Sequence, residues 1–69
     1  MNYTVQELAL QYAEAMTRFY QADRRYKTAS ECDKTAAAAN LGLCRADMQE
    51  AQWRLAEATK EQAELLNAE

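Results

Sequence analysis

A ten-residue segment of the chain, "RFYQADRRYK", combines three aromatic rings with four basic side chains. Its basic members are Arg18, Arg24, Arg25 and Lys27, and its aromatic members are Phe19, Tyr20 and Tyr26. Aromatic rings stack on nucleobases and basic groups neutralise phosphates, so this composition is typical of a nucleic-acid-binding surface. In that interpretation the four basic groups contact phosphates and Tyr20 stacks on a base.

The same segment has a second interpretation, in which its rings belong to a helix core and its charges line the edges. Phe19 and Tyr26 are one heptad apart, and Arg18 and Arg25 directly precede them. Charge runs on helices are usually solvated faces, and a net charge of −3 disfavours nucleic-acid binding. We therefore predict the core arrangement and keep the four basic residues as an alternative nucleic-acid face.

Other groups that could do chemistry are sparse. The chain has no histidine, and Cys32 and Cys44 lack the spacing of a zinc site. Glu57, Glu61 and Glu64 form an acidic row with the spacing of a solvated helix face. No nucleophile with a neighbouring base and no phosphate-binding loop is evident. The sequence therefore predicts a protein that is not an enzyme and that has no catalytic residues, metal or cofactor.

The composition predicts an all-α protein. The 69 residues include no proline and one glycine, and alanine is the commonest residue type. In "YTVQEL", Thr4 and Glu7 have the spacing of a capping box, and Tyr3 and Leu8 have that of a hydrophobic staple. A helix is therefore predicted to start at Thr4.

Two apolar stripes that repeat every three and four residues indicate two packed helices. The first consists of Val5, Leu8, Tyr12, Ala15, Phe19, Ala22, Tyr26 and Ala29, and the second of Leu41, Cys44, Met48, Ala51, Leu55, Ala58, Gln62 and Leu65. Cap-forming residues between the stripes predict a turn within residues 29–34. We predict one domain, residues 1–69, folded as an antiparallel two-helix hairpin with helices near 4–30 and 34–67.

Two other arrangements fit the pattern. The turn could lie at residues 40–42, with Gly42 as the helix C-cap. The chain could also be one unbroken helix, with the change of phase absorbed as stutters, which would suit a filament or coiled-coil subunit. In the preferred hairpin, folded at residues 33–34, Gly42 falls beside Tyr26 and leaves room for its ring.

Several large apolar residues lie outside both stripes, and we predict that they form a protein interface. They are Trp53, Leu10, Leu43 and Tyr20. A two-helix hairpin cannot enclose a core, so such residues need a cover. A second copy would give a four-helix bundle, and another protein is the other possible cover, since Trp and Tyr are common interface anchors. Alternatively, Trp53 packs locally over Arg and Gln side chains.

The expected location is the cytoplasm. No segment approaches the roughly 20 apolar residues that span a bilayer, and the N-terminus lacks the pattern of a signal peptide. The two cysteines are then expected to be reduced, and no membrane partner is predicted.

The alanine-rich segment "TAAAANLGLCRADMQEAQWRLAEA", with the chain's length and hairpin pattern, resembles small accessory proteins from the early regions of lambda-like phages. That resemblance implies a regulatory protein of the host cytoplasm that binds a host or phage factor. In size and design the chain is also similar to the plasmid repressor-of-primer type of four-helix dimer, which binds RNA, and to the small hairpin chaperones of type III secretion. The predicted function is a non-enzymatic regulator or adaptor that binds itself and another protein, with an RNA- or DNA-binding regulator as the alternative.

Overall fold

The computed structural model describes residues 3–67, which form two helices and no strand. Helix α1 spans Val5–Thr28 and helix α2 spans Glu31–Asn67. Only Ala29 and Ser30 connect them, and the two helices pack against each other along α1. The predicted all-α helical hairpin is therefore confirmed.

The start of α1 is fixed by the predicted capping residues. Thr4 Oγ1 accepts a hydrogen bond from the Glu7 backbone N–H at 3.1 Å and donates one to Glu7 Oε1 at 3.2 Å. The Leu8 N–H donates to the Thr4 carbonyl at 3.0 Å, which closes the first turn. At the other end, Arg25 and Lys27 lie in the last turn, where the helix dipole favours cations.

The connection lies within the predicted stretch, but α2 begins at Glu31, three residues before the predicted start. Ser30 explains the difference. Its carbonyl accepts a hydrogen bond from the Asp33 N–H at 3.0 Å, and its hydroxyl donates to Asp33 Oδ2 at 3.1 Å. Residues 40–42, the alternative turn, lie inside α2, and the break at Ala29 and Ser30 excludes one continuous helix.

The two predicted stripes line the contact between the helices. Leu8, Ala15 and Ala22 are buried, with exposed fractions of 7, 2 and 2%. The other members of the first stripe are half-buried. The second stripe is also half-buried except for its last two members, Gln62 and Leu65, which are exposed. We attribute their exposure to the lengths of the helices, because α2 has 37 residues and α1 has 24.

Two half-buried rings of the seam are covered by cations from α2. The Arg45 guanidinium carbon lies 5.7 Å from the centroid of the Phe19 ring, and Lys34 Nζ lies 5.3 Å from that of Tyr26. Cations at these distances are attracted to the face of an aromatic ring. The aromatic rings of "RFYQADRRYK" are thus divided: Phe19 and Tyr26 belong to the seam, and Tyr20 is exposed.

Gly42 does not make room for a ring, contrary to the sequence-based expectation. It lies inside α2, its φ is not positive, and beyond its chain neighbours and the adjacent backbone of its own helix an added Cβ would meet no atom within 4 Å. We expect Gly42→Ala to raise the free energy of unfolding by about 0.5–1 kcal/mol, because alanine favours the helix and restricts the unfolded chain. Urea denaturation followed by far-UV circular dichroism would measure the change, and a loss of stability would contradict the open surroundings of Gly42.

Candidate protein-interaction surface

All four predicted interface residues are largely exposed on the hairpin. The exposed fractions are 61% for Leu10, 61% for Tyr20, 68% for Leu43 and 65% for Trp53. Local packing over neighbouring side chains therefore does not cover Trp53. In contrast, the buried side chains of the described residues are one leucine and two alanines. The hairpin thus leaves several of its large apolar side chains outside the contact between its helices.

These four residues belong to two separate faces. A helix turns about 100° per residue, so Leu10, two residues after the buried Leu8, points away from α2. Trp53 lies two residues from both Ala51 and Leu55 of the seam, so it points away from α1. The two directions are opposite across a hairpin of 58 × 19 × 14 Å. A single flat partner surface therefore cannot cover Leu10 and Trp53 together.

The outer face of α1 is a short row of exposed residues spaced three and four apart. We define this α1 outer face as Leu10, Ala13, Thr17 and Tyr20. The Thr17 hydroxyl donates to the Ala13 carbonyl at 2.9 Å, so its polar group is already hydrogen-bonded. The Tyr20 ring is tilted by 54° against Phe19, with 5.8 Å between the centroids. This face could accept an apolar partner without leaving the Thr17 hydroxyl unpaired.

The outer face of α2 is a longer row with the same spacing. We define this α2 outer face as Ala36, Ala39, Leu43, Ala46, Glu50 and Trp53, all of which are exposed. Its one charged member, Glu50, is paired within the helix, because Arg54 Nη2 lies 2.9 Å from Glu50 Oε1. Sequence reasoning identified Leu43 and Trp53 but missed the three alanines of the row. The available signal was a second heptad row, displaced by two residues from the seam.

The structure separates the four basic residues of the alternative nucleic-acid face. Arg18 and Arg25 are seven residues apart and line the same groove between the helices. Lys27 follows Arg18 by nine residues, about two and a half turns, so it lies on the opposite side of α1. Lys27 Nζ is also paired with Asp23 Oδ2 at 2.9 Å. Arg24 is exposed and does not line the groove, so two of the four basic residues share a surface.

The remaining chemistry-bearing groups do not form clusters. Within residues 3–67, no three His, Cys, Asp or Glu side chains are placed to hold a metal ion. Cys32 is exposed, and Cys44 is half-buried at the seam; both are free thiols. The described helices include none that is long and apolar enough to cross a membrane.

Comparisons with known proteins do not assign this hairpin to a family. No protein-family model matches the chain, and no curated protein or solved structure is significantly similar to it. The two outer faces and the charges beside them are therefore the features that bear on function.

Proposed function

We propose that this chain is a non-enzymatic regulatory or adaptor protein that acts by binding proteins, including a second copy of itself. One observation supports this proposal above the others, the number of large apolar side chains that the hairpin leaves exposed. Seven large apolar side chains of the described residues are exposed, and they are Tyr3, Leu10, Tyr20, Leu43, Trp53, Leu65 and Leu66. A chain of 69 residues buries little apolar surface alone, and contiguous exposed apolar rows are typical of interaction sites.

The proposed mechanism is the burial of each outer face against a helix of a partner. Trp53 anchors the contact on α2, because a tryptophan can bury about 150–250 Å² and tryptophans are enriched among the residues that dominate binding energy. Leu10 and Tyr20 form the contact on α1. Charged side chains beside the rows would set the register and exclude other partners. Because the faces point in opposite directions, the hairpin can hold two occupants at once.

The regulatory role is part of the same proposal. The resemblance to phage accessory proteins supports it and suggests the host cytoplasm as the place of action. The second occupant would then be a host or phage factor.

The nucleic-acid alternative keeps one supporting observation. The groove that contains Arg18 and Arg25 is otherwise lined by Gln21, Ala22, Asn40 and Cys44, none of which is acidic. Two phosphate contacts give a weak salt dependence, with a slope of log K against log salt of about −1.4 for a single strand. This function would appear as RNA binding that weakens with that slope and is lost in Arg18→Glu but not in Arg24→Glu.

The protein-binding proposal predicts a large effect of Trp53→Ala. Light scattering across a dilution series should give a mass above the 7.9 kDa of one chain. We expect Trp53→Ala to weaken self-association by about 30-fold, since an anchor residue contributes about 2 kcal/mol or more. Gln52→Ala changes a neighbouring exposed residue outside the row and should have little effect. A chain that stays at 7.9 kDa, and whose protein binding is unaffected by Trp53→Ala, would refute the proposal.

A further inference from the structure

We infer that the α2 outer face binds the same face of a second copy, antiparallel, about a two-fold axis near residues 44 and 45. The inference rests on the proposed function and adds the occupant and the register. The three-and-four spacing extends the row of exposed residues by one step at each end, to Cys32 and Glu57. The whole row then covers about 38 Å of α2, at 1.5 Å per residue.

The first argument is the fit of large side chains against small ones. When two copies of the row lie antiparallel, residues whose numbers sum to 89 face each other. Trp53 then lies over the partner's Ala36, and Leu43 lies over the partner's Ala46. The two-fold axis repeats both contacts, so all four large side chains of the row meet an alanine. Small residues opposite large ones allow the helix axes to approach to about 8 Å.

The second argument is charge. The two-fold axis keeps each flank of the row on the same side in both copies, so facing residues have numbers that sum to 87 on one flank and to 91 on the other. On the first flank Asp33 faces the partner's Arg54, and Asn40 faces the partner's Asp47. On the other flank the uncharged Gly42 faces the partner's Gln49. Glu50 faces the partner's Ala39 and is already paired with Arg54 at 2.9 Å. The register therefore adds one opposite-charge contact, which the two-fold axis repeats, without placing like charges in direct opposition.

Neighbouring registers lack this complementarity. A slip of one heptad in one direction places Asp47 against the partner's Asp47 and Asp33 against the partner's Glu61. A slip in the other direction places Asp33 against the partner's Asp47. Both slips also move Trp53 away from the partner's Ala36. Like-charge contacts disfavour both shifted registers, so of the three registers the one in which facing residues sum to 89 fits best.

Pairing through α2 leaves the α1 outer face uncovered. Trp53 and Leu43 become buried at the centre of the pair, while Leu10 and Tyr20 stay on the outside of each copy. The order of helices across the pair is α1, α2, the partner's α2 and the partner's α1. This is a flat layer, unlike the four-helix bundle that the sequence predicts, and it keeps the α1 outer face free for a different protein.

Cys32 allows a direct test of the register. In the double variant Cys44→Ser, Glu57→Cys, the thiol of Cys32 would lie beside position 57 of the partner. Within one copy these positions are about 38 Å apart along α2, too far for an internal disulfide. We expect oxidised glutathione to convert most of this variant into a covalent dimer. The matched control is Cys44→Ser, Glu64→Cys, which places a thiol on the same face one heptad away and should give little dimer.

A charge substitution on the face gives a second, independent measurement. Ala39→Glu would place a carboxylate against the partner's Glu50 and should weaken self-association at least about tenfold. Ala38→Glu is the matched control, because Ala38 is exposed on the same helix but lies outside the row. Far-UV circular dichroism would check that both variants keep the hairpin.

The outcomes separate this inference from the proposed function. A covalent dimer from the position-57 variant alone, with a loss of association in Ala39→Glu alone, supports the inference. A covalent dimer of the position-64 variant or of Cys44→Ser alone would overturn the inferred register. A dimer mass without a disulfide at position 57 would do the same. In each case the proposal of self-association would remain supported. A mass of 7.9 kDa from about 1 µM to 1 mM also overturns the inference.

Discussion

Replacing Ala15 by glutamate should remove a large part of the stability of the hairpin. Ala15 is 2% exposed and lies in the middle of α1, against α2. A buried carboxylate without a partner costs about 3–5 kcal/mol, and a chain of this length has a total stability of about 3–10 kcal/mol. Urea denaturation of Ala15→Glu, followed by far-UV circular dichroism, would measure the loss.

The matched control is Ala13→Glu, which adds the same side chain two residues away at an exposed position of α1. Its effect should stay within about 0.5 kcal/mol. Equal stability of the two variants would show that Ala15 does not face α2 in solution.

The pH dependence distinguishes a buried charge from a steric effect. Burial raises the pKa of the carboxyl introduced in Ala15→Glu above its unfolded value of about 4.3. Between those two values the native state binds more protons than the unfolded state, so the free energy of unfolding falls as pH rises. The deficit of Ala15→Glu relative to Ala13→Glu should therefore widen above about pH 4 and shrink below it. Ala15→Gln, of similar size and uncharged, should show no such dependence.

The seam could be predicted from the sequence, but the depth of burial along it could not. A heptad pattern shows which side of each helix faces the other, and the stripe members lie there as expected. Among the described residues Leu8, Ala15 and Ala22 are the buried ones, because two helices leave the edges of their contact open to solvent. Phe19 and Tyr26 share the stripe but are only half-buried. The cations over those rings come from α2, and a periodic pattern does not contain that information.

The turn shows a different limit. Ser30, Asp33 and Thr35 all favour helix starts, so the sequence allows several boundaries within a few residues. The hydrogen bonds between Ser30 and Asp33 decide among them. The chain reverses at Ala29 and Ser30 rather than at residues 33–34, a shift of about one helical turn. Moving the turn by about one helical turn leaves the same stripe residues facing the other helix. The stripe therefore does not determine which residue of α1 lies opposite which residue of α2.

The exposed apolar residues could be predicted in type but not in arrangement. Leu10, Tyr20, Leu43 and Trp53 are exposed because the opposite side of each helix forms the seam. They divide into an α1 face and an α2 face because the outer sides of the two helices point in opposite directions. A list of exposed residues does not give those directions. The basic cluster shows the same effect, because ten consecutive residues make nearly three turns of helix. Neighbours in sequence such as Arg24 and Arg25 therefore project to different sides.

Leu8→Ala should produce the largest loss among substitutions that add no charge. Leu8 is the one large side chain among the buried residues, with an exposed fraction of 7%. We expect the free energy of unfolding to fall by about 2–3 kcal/mol, at the low end for a buried leucine because solvent can reach the end of the hairpin. The Leu8 side chain is the buried contact nearest the first turn of α1, so the start of α1 should fray without it. Urea denaturation would measure the global loss, and hydrogen exchange of the first-turn amides would report the fraying.

Leu10→Ala is the control for this prediction because it makes the same exchange two residues away, where the side chain is 61% exposed. The difference in helix propensity between leucine and alanine is common to both variants, so the difference between their stabilities isolates burial. At concentrations where the chain is monomeric, Leu10→Ala should change the free energy of unfolding by no more than about 0.5 kcal/mol. A loss in Leu10→Ala that grew with protein concentration would place Leu10 in the contact between copies. Self-association would then involve α1 as well, and the flat pairing through α2 would be wrong.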